Sequence, residues 1–252
     1  GLMTNPGKLL RPSLCLFMAR ACGRPNEHSR LFAAAVEMLH NSTLLHDDVA
    51  DKSDTRRGVP TVMSLHGPVP AVLVGDFWLA RTLDLLQESE HTEWALRAFA
   101  KTLTDLSEGE MLQQEKAFSG NISEEDYFKI IYCKTASLFE LSCTSAAKSV
   151  GASPEFFSAA SDYGRAVGMA YQIKDDVDKY GIEVEQFIDY KALMGDSSDN
   201  IPGVAGIGPK AAKELLNEYQ TLDLIYENLW KLPQKYQKKL EPGKGSAFMS
   251  KE

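Results

Sequence analysis

The residues best suited to chemistry crowd into one stretch, "EMLHNSTLLHDDVADKSDTRRG", from Glu37 to Gly58. On a helix, Asp47 and Asp51 stand one turn apart on a shared face, with Asp48 beside them. Three carboxylates held this close repel one another unless a cation intervenes. Hard oxygen ligands in this arrangement suit magnesium, which takes one or two carboxylates and leaves positions for phosphate oxygens. His40 lies two turns before Asp47 on the same face, and Arg56 and Arg57 follow in a loop. Their guanidinium forks match phosphate oxygens. A bare D-D-x-x-D is commonly a solvated acidic helix end. Acids that suit a metal and bases that suit phosphate, in one stretch, point instead to a magnesium–diphosphate site.

A second acidic pair, Asp175 and Asp176, sits in "QIKDDVDKYG", Gln172 to Gly181. A third carboxylate would complete a cluster at position 179, where Lys179 stands instead. Asp178 is no substitute, because at about 100° per residue it points away from that position. The pair looks like half of a metal site, and whether it is a working cluster, a degenerate one or the seam between two unrelated pieces stays open at this point.

Helical periodicity supplies the elements that position these groups. Helices are predicted near 9–21, 29–47, 69–88, 92–117, 124–150 and 154–177, separated by "GRPN", "RRGVP", "HGPVP", "SGNIS" and "GASP". "SEED" at 123–126 has the form of a helix cap followed by early acidic residues. Strand-like alternation is nearly absent, so the predicted class is all-α. The chain has 252 residues, 44% hydrophobic and 25% charged, which suits a soluble globular protein with a sizeable core. A net charge of −8 argues against general affinity for nucleic acid or anionic membranes. Cys15, Cys22, Cys133 and Cys143 have no C-x-x-C spacing and read as reduced core thiols of a cytoplasmic protein. No apolar run approaches the ~20 residues of a membrane span. "GLMTNPGKLLRP" opens without Met and reads like the interior of a longer protein.

Several landmarks recur in a fixed order: "GKLLRP" at 7–12, the acidic stretch, "VGDFWLARTL" at 74–83, "EGEMLQQE" at 108–115, "KTASLF" at 134–139 and "GMAYQIKDD" at 168–176. Over about 6–178 this set resembles the trans-isoprenyl diphosphate synthases, the polyprenyl synthetase family. The resemblance implies an all-α bundle around a deep cavity, often a homodimer, that performs magnesium-dependent prenyl transfer. By position, Lys8, Arg11, His40 and Arg57 would hold the diphosphate of isopentenyl diphosphate. Asp47, Asp48 and Asp51 would bind magnesium on the allylic prenyl diphosphate, helped by Arg56, Lys134 and Gln172. Asp175 and Asp176 would bind a further magnesium. Thr43, one turn before Asp47, and its neighbour Ser42 are small where the family limits product growth with a bulky aromatic. This implies a longer product, although helix packing also calls for small residues.

After Lys179 the texture changes. "KYGIEVEQFIDYKALMGDSSDNIPGVAGIGPKAAKELL" resembles the helix-three-turn-helix region of the 5′ nuclease domain attached to bacterial DNA polymerase I, over about 179–252. The expected domains are therefore 1–178, a synthase bundle incomplete at both ends, and 179–252, a helix-hairpin-helix appendage. By that resemblance Asp196 and Asp199 would be nuclease metal ligands, but no α/β segment supplies the other carboxylates, so nuclease activity is not expected. Gly206, Gly208 and Lys210 would let hairpin N–H groups and one ammonium meet a DNA phosphate, giving weak DNA binding through 195–215. The run Lys231, Lys235, Lys238, Lys239 and Lys244 reads as a solvated helix face or an aid to that binding. Two alternatives to an active prenyltransferase follow: an inert chimera whose tail binds DNA, and a composite that folds poorly. Gene fusion, engineering or a misassembled reading frame would each give such a sequence.

Overall fold

The computed structural model describes residues 7–119, 123–180, 182–183, 186–195 and 202–251, and the protein is all-α. Helices α1 (Leu10–Cys22) and α2 (Glu27–Ala50) are followed by a two-residue antiparallel hairpin, β1 (Thr55–Arg56) with β2 (Val59–Pro60). Next come α3 (Val62–His66), α4 (Pro68–Gln87), α5 (Thr92–Ser119) and α6 (Glu124–Ile131). Helix α6 runs through a π turn (Tyr132–Ala136) into α7 (Ser137–Ser149), and α8 (Pro154–Tyr180) follows. The chain continues with α9 (Phe187–Met194), α10 (Pro209–Tyr219), α11 (Leu222–Glu227) and α12 (Gln234–Met249). Asp196, Asp199 and the side chain of Lys179 lie outside the described residues.

Two compact units divide the chain: Gly1–Ser107 with Tyr132–Gly168, and Glu108–Ile131 with Met169–Glu252. In the first, α2 is the central element. Its start is fixed by a reciprocal cap, in which Asn26 Oδ1 accepts from Ser29 N at 3.0 Å and Ser29 Oγ accepts from Asn26 N at 3.1 Å. Phe32, Val36 and Leu39 recur at helical spacing and are buried, joined by Cys15 and Ala19 of α1, Phe99 of α5 and Leu138 and Leu141 of α7. Each large apolar side chain buried in this way contributes about 1.5–3 kcal/mol. Helix α4 is fastened to α2 by polar contacts as well. Ser42 Oγ donates to Gly75 O at 2.8 Å, and His46 Nε2 lies 3.1 Å from Asp76 Oδ1.

Two glycines set α8 against the elements before it. A Cβ at Gly164 would lie 2.7 Å from Glu140 Cα, and one at Gly168 would lie 2.4 Å from Ala136 Cα. Spaced four residues apart, both face the same way and admit backbone contact that no side chain could share.

The second unit includes the expected cap of α6, in which Ser123 Oγ accepts from Asp126 N and Asp126 Oδ2 accepts from Ser123 N. It also holds a core drawn wholly from Ile182 onward: Tyr190 and Leu193 of α9, Leu215 and Leu216 of α10, Leu222 and Ile225 of α11, and Leu240 of α12. Gln186 Nε2 donates to Leu216 O and Gln220 O, both at 3.0 Å, which satisfies carbonyls at the end of α10. Asp189 accepts from Leu222 N at 2.8 Å and pairs with Lys251 at 3.0 Å.

The helix expected over 124–150 is interrupted by the π turn, because one inserted residue leaves the apolar period nearly unchanged. The "RRGVP" punctuation is the β1–β2 hairpin. Cys15, Cys133 and Cys143 are buried, Cys22 is half-buried, and all four are free thiols. Among the described residues no helix is long and apolar enough to cross a membrane.

Replacing Gly168 with Ala should lower stability by about 1–3 kcal/mol, since Ala136 backbone must move to admit the methyl group. Thermal unfolding followed by far-UV circular dichroism checks this; an unchanged Tm would contradict the close-packed seat.

Candidate functional site

The carboxyl-terminal turn of α2 carries Asp47, Asp48 and Asp51. Asp51 N donates to Asp47 O at 2.8 Å, so these two residues keep the one-turn register that the spacing predicts. The helix stops at once: Lys52 takes a left-handed φ of 50° and Ser53 N donates to Asp48 O at 2.9 Å. The chain then folds back through β1 and β2, whose turn residues Arg57 and Gly58 have φ of 52° and 76°. Two positive φ values suit a tight two-residue hairpin, but at Arg57 a non-glycine bears the strain, on the order of 1–3 kcal/mol.

That hairpin delivers the arginines. Arg56 Nε donates to Asp48 Oδ1 at 2.7 Å, and the Asp48 side chain is 6% exposed. Arg57 packs on Gly7, where a Cβ would meet its Nη1 at 2.1 Å. Arg11 lies over the Phe139 ring at 4.6 Å and its Nη1 stands 3.2 Å from His40 Nε2. A guanidinium can only donate, so Nε2 accepts and the imidazole carries its proton on Nδ1. Burial, then Arg11, Arg57 and Arg56, push the His40 pKa down to about 2. Burial raises the Glu37 pKa, opposed by Arg11 and Arg57 and by a hydrogen bond from Asn41. The structure thus brings Arg11, His40, Arg56 and Arg57 into one electrostatic cluster around a neutral imidazole. Such a cluster can receive a multiply charged anion. Lys8 is exposed two residues before α1, and Lys134 lies within the π turn.

In the second unit, Asp176 is held at both oxygens. Tyr127 OH donates to Oδ2 at 2.9 Å and Gln172 Nε2 to Oδ1 at 3.1 Å. Burial and the Asp176 carboxylate raise the Tyr127 pKa. Asp175 is exposed. The expectation that Asp48 and Asp176 are metal ligands therefore meets carboxylates already engaged by protein donors, Arg56 in one case and Tyr127 with Gln172 in the other. Sequence reasoning missed Tyr127, whose only signal is its place four residues after the Ser123 cap. It also missed Phe139 as the platform under Arg11.

Among the described residues no three His, Cys, Asp or Glu side chains converge to hold a metal ion by themselves. Magnesium does not require such a cage, since one or two carboxylates plus substrate phosphates suffice. The oxygen-only donors Asp47 and Asp51, one turn apart, fit that chemistry.

Ser42 is turned away from this site by its bond to Gly75 O, whereas Thr43 Oγ1 donates back to His40 O at 2.9 Å. In the hairpin before α10, Gly206 and Gly208 are exposed with Lys210 beside them, and Lys239 Nζ of α12 donates to Gly206 O at 2.7 Å.

The helical architecture is shared with known prenyl diphosphate synthases. A decaprenyl diphosphate synthase from Rhodobacter capsulatus aligns with a TM-score of 0.74 and 29% identity, covering 98% of this chain and 87% of that one. A Caulobacter crescentus polyprenyl synthase, crystallised with calcium and isoprenyl diphosphate, aligns with a TM-score of 0.67 and 31% identity, covering 97% and 74%. Octaprenyl diphosphate synthase of Escherichia coli is 36% identical over 185 residues, which is 73% of this chain and 57% of that protein. An all-trans-nonaprenyl-diphosphate synthase of Rhodobacter capsulatus is 41% identical over 175 residues, 69% of this chain and 53% of that one. Residues 1–204 match the Polyprenyl synthetase family, and the chain belongs to it. It spans just over half the length of these curated relatives. Residues 182–252 also match the 5'-3' exonuclease, C-terminal SAM fold, so the two matches overlap between 182 and 204.

Because His40 stays neutral in the folded chain but titrates near 6.5 when unfolded, the unfolded state binds the extra proton below that pH. Stability should be full above pH 6.5 and fall as pH drops toward about 2. In denaturant titrations from pH 7 to 5, His40→Asn should lose less stability than the parent; equal losses would remove His40 as the cause.

Proposed function

We propose that this chain performs prenyl transfer, condensing an allylic prenyl diphosphate with isopentenyl diphosphate to give a longer polyprenyl diphosphate. The observation that carries this reading is the cluster of Arg11, Arg56 and Arg57 around a neutral His40, on the same helix as Asp47 and Asp51. Arg11, His40 and Arg57, with Lys8, hold the diphosphate of isopentenyl diphosphate. Arg56, Lys134 and Gln172 serve the allylic diphosphate, Arg56 and Gln172 by orienting Asp48 and Asp176. Asp47, Asp48, Asp51, Asp175 and Asp176 are the carboxylates that would hold magnesium, Asp48 and Asp176 while keeping their protein donors as outer-shell partners. Magnesium, when bound, supplies positive charge to the departing diphosphate. The allylic C–O bond breaks with its electron pair leaving on diphosphate, the isopentenyl double bond attacks the resulting carbocation, and a proton leaves the adjacent carbon. The chain's share is positioning and electrostatics, so arginines and carboxylates suffice without a nucleophile. Small Thr43 leaves room for a long product.

Helix α4 presents Val69, Leu73 and Phe77 at four-residue spacing, each more than 60% exposed. An apolar stripe of this kind supports a homodimer. We place the seam between synthase and nuclease-like sequence at about 178–181, which makes the chain a chimera with a half-complete second acidic motif. A second reading is supported by the exonuclease match and by Lys239 on the hairpin carbonyl: the tail binds DNA phosphates weakly through Gly206, Gly208 and Lys210. Gel retardation on branched DNA should then weaken steeply with salt.

Turnover of labelled isopentenyl diphosphate with an allylic primer and magnesium tests the main reading. Product should form and fall on the order of 10²-fold or more in Asp47→Ala. Folded protein that makes no product would leave descent without activity.

A further inference from the structure

A single carboxylate clamps the π turn Tyr132–Ala136. Glu140 Oε1 accepts from Ser161 Oγ at 2.6 Å and from Arg165 Nη2 at 3.1 Å. Its Oε2 accepts from Tyr132 OH at 3.1 Å and Arg165 Nε at 3.2 Å. The Arg165 guanidinium also lies over the Tyr132 ring, 5.6 Å from its centroid. Four donor atoms on one carboxylate therefore join the first residue of the turn, α7 and α8. The Arg165 fork keeps Glu140 ionised below its usual pKa, despite burial.

A π turn holds one residue more than the α-helical path and needs support from outside the helix. Here that support has two parts. Gly168 packs on Ala136 at the end of the turn, and Gly164 packs on Glu140 itself. The beginning of the turn is tied to α7 twice: the Tyr132 hydroxyl donates to Glu140, and Ser137 Oγ donates to Cys133 O at 2.8 Å. Helix α7 does not depend on the clamp for its own burial, since Leu138, Leu141 and Ala146 are already in the core. Solvent screening at the half-exposed arginine reduces what the pair adds to stability. Its particular effect is on register: relaxing the extra residue would turn the flanking helix by about 100°. Lys134 is the middle residue of the turn.

We propose that Glu140 is a positioning residue. By holding Tyr132 to Arg165 and Ser161 it fixes the register of the π turn, and so the direction in which Lys134 presents its ammonium to a diphosphate. This rests on the reading of Lys134 as a diphosphate-binding residue. Glu140 itself touches no substrate.

A double-mutant cycle on the full chain separates this role from a merely structural one. Inorganic pyrophosphate with magnesium is titrated calorimetrically into the parent, Glu140→Gln, Lys134→Ala and the double variant, with thermal unfolding run alongside. Glu140→Gln should weaken binding about tenfold in the parent and not at all in the Lys134→Ala background, because the loss acts through Lys134. The same loss in both backgrounds, or none in the parent, overturns the proposal. Parent-like binding by Lys134→Ala shows instead that the reading of Lys134 is wrong, and Glu140 is then structural. If Glu140→Gln shows no cooperative transition, Tyr132→Phe removes only the Oε2 bond at the turn and must give the same pattern of losses. An additive pattern there overturns the proposal equally.

Discussion

Electrostatics opposes the placement of three carboxylates on the last turn of a helix. The carboxyl end already carries the negative pole of the backbone dipoles, and α2 has no basic residue in its last turn to offset it. The structure around this turn answers that repulsion. The helix closes on Lys52 in a left-handed conformation, the chain reverses in two residues, and Arg56 comes back to Asp48. The strain at Arg57 follows from the same reversal, since Arg57 and Gly58 both take positive φ, as a type I′ hairpin turn requires. One carboxylate of the three is thereby paired with a cation of the protein itself.

The basic side of the site is governed by the same limit. Arginines drawn together in a half-buried place repel one another, and each additional positive charge makes the next more costly. His40 takes part without adding to that charge. Its imidazole accepts from Arg11 and stays neutral because the surrounding guanidiniums penalise protonation. Phe139 offers Arg11 its ring face, a partner that carries no charge of its own. The cluster keeps positive charge available without protonating the imidazole at its centre.

Much of this was legible in the sequence, and the boundary of legibility is physical. Asp47 and Asp51 follow from helical spacing alone, and α1, α2, α4, α5 and α8 follow from the apolar period, whereas the short α3 gave no such signal. The β1–β2 hairpin was not legible, because "RRGVP" gives turn residues without saying that Arg57 would occupy a left-handed position. The π turn was hidden for a different reason: inserting one residue barely alters an apolar stripe, and part of its support comes from Arg165 and Gly168, distant in sequence. Ser42 and Thr43 look alike as small polar residues, yet one is consumed by Gly75 O and the other bonds back to its own helix. Tyr127 and Asp176 are 49 residues apart, and nothing local joins them.

The two textures of the chain also differ in what each needs from the other. The apolar residues after Ile182 bury one another, with Leu193, Leu216, Ile225 and Leu240 fully enclosed by their own segment. The segment also meets earlier sequence, since the Phe187 ring lies 6.4 Å from the Tyr127 ring of α6. On the other side, the rotational phase of α8 is set by Gly164 and Gly168, before Asp175 and Asp176 are reached. A helix transmits phase along its length, so what directs those acids is specified upstream of Lys179.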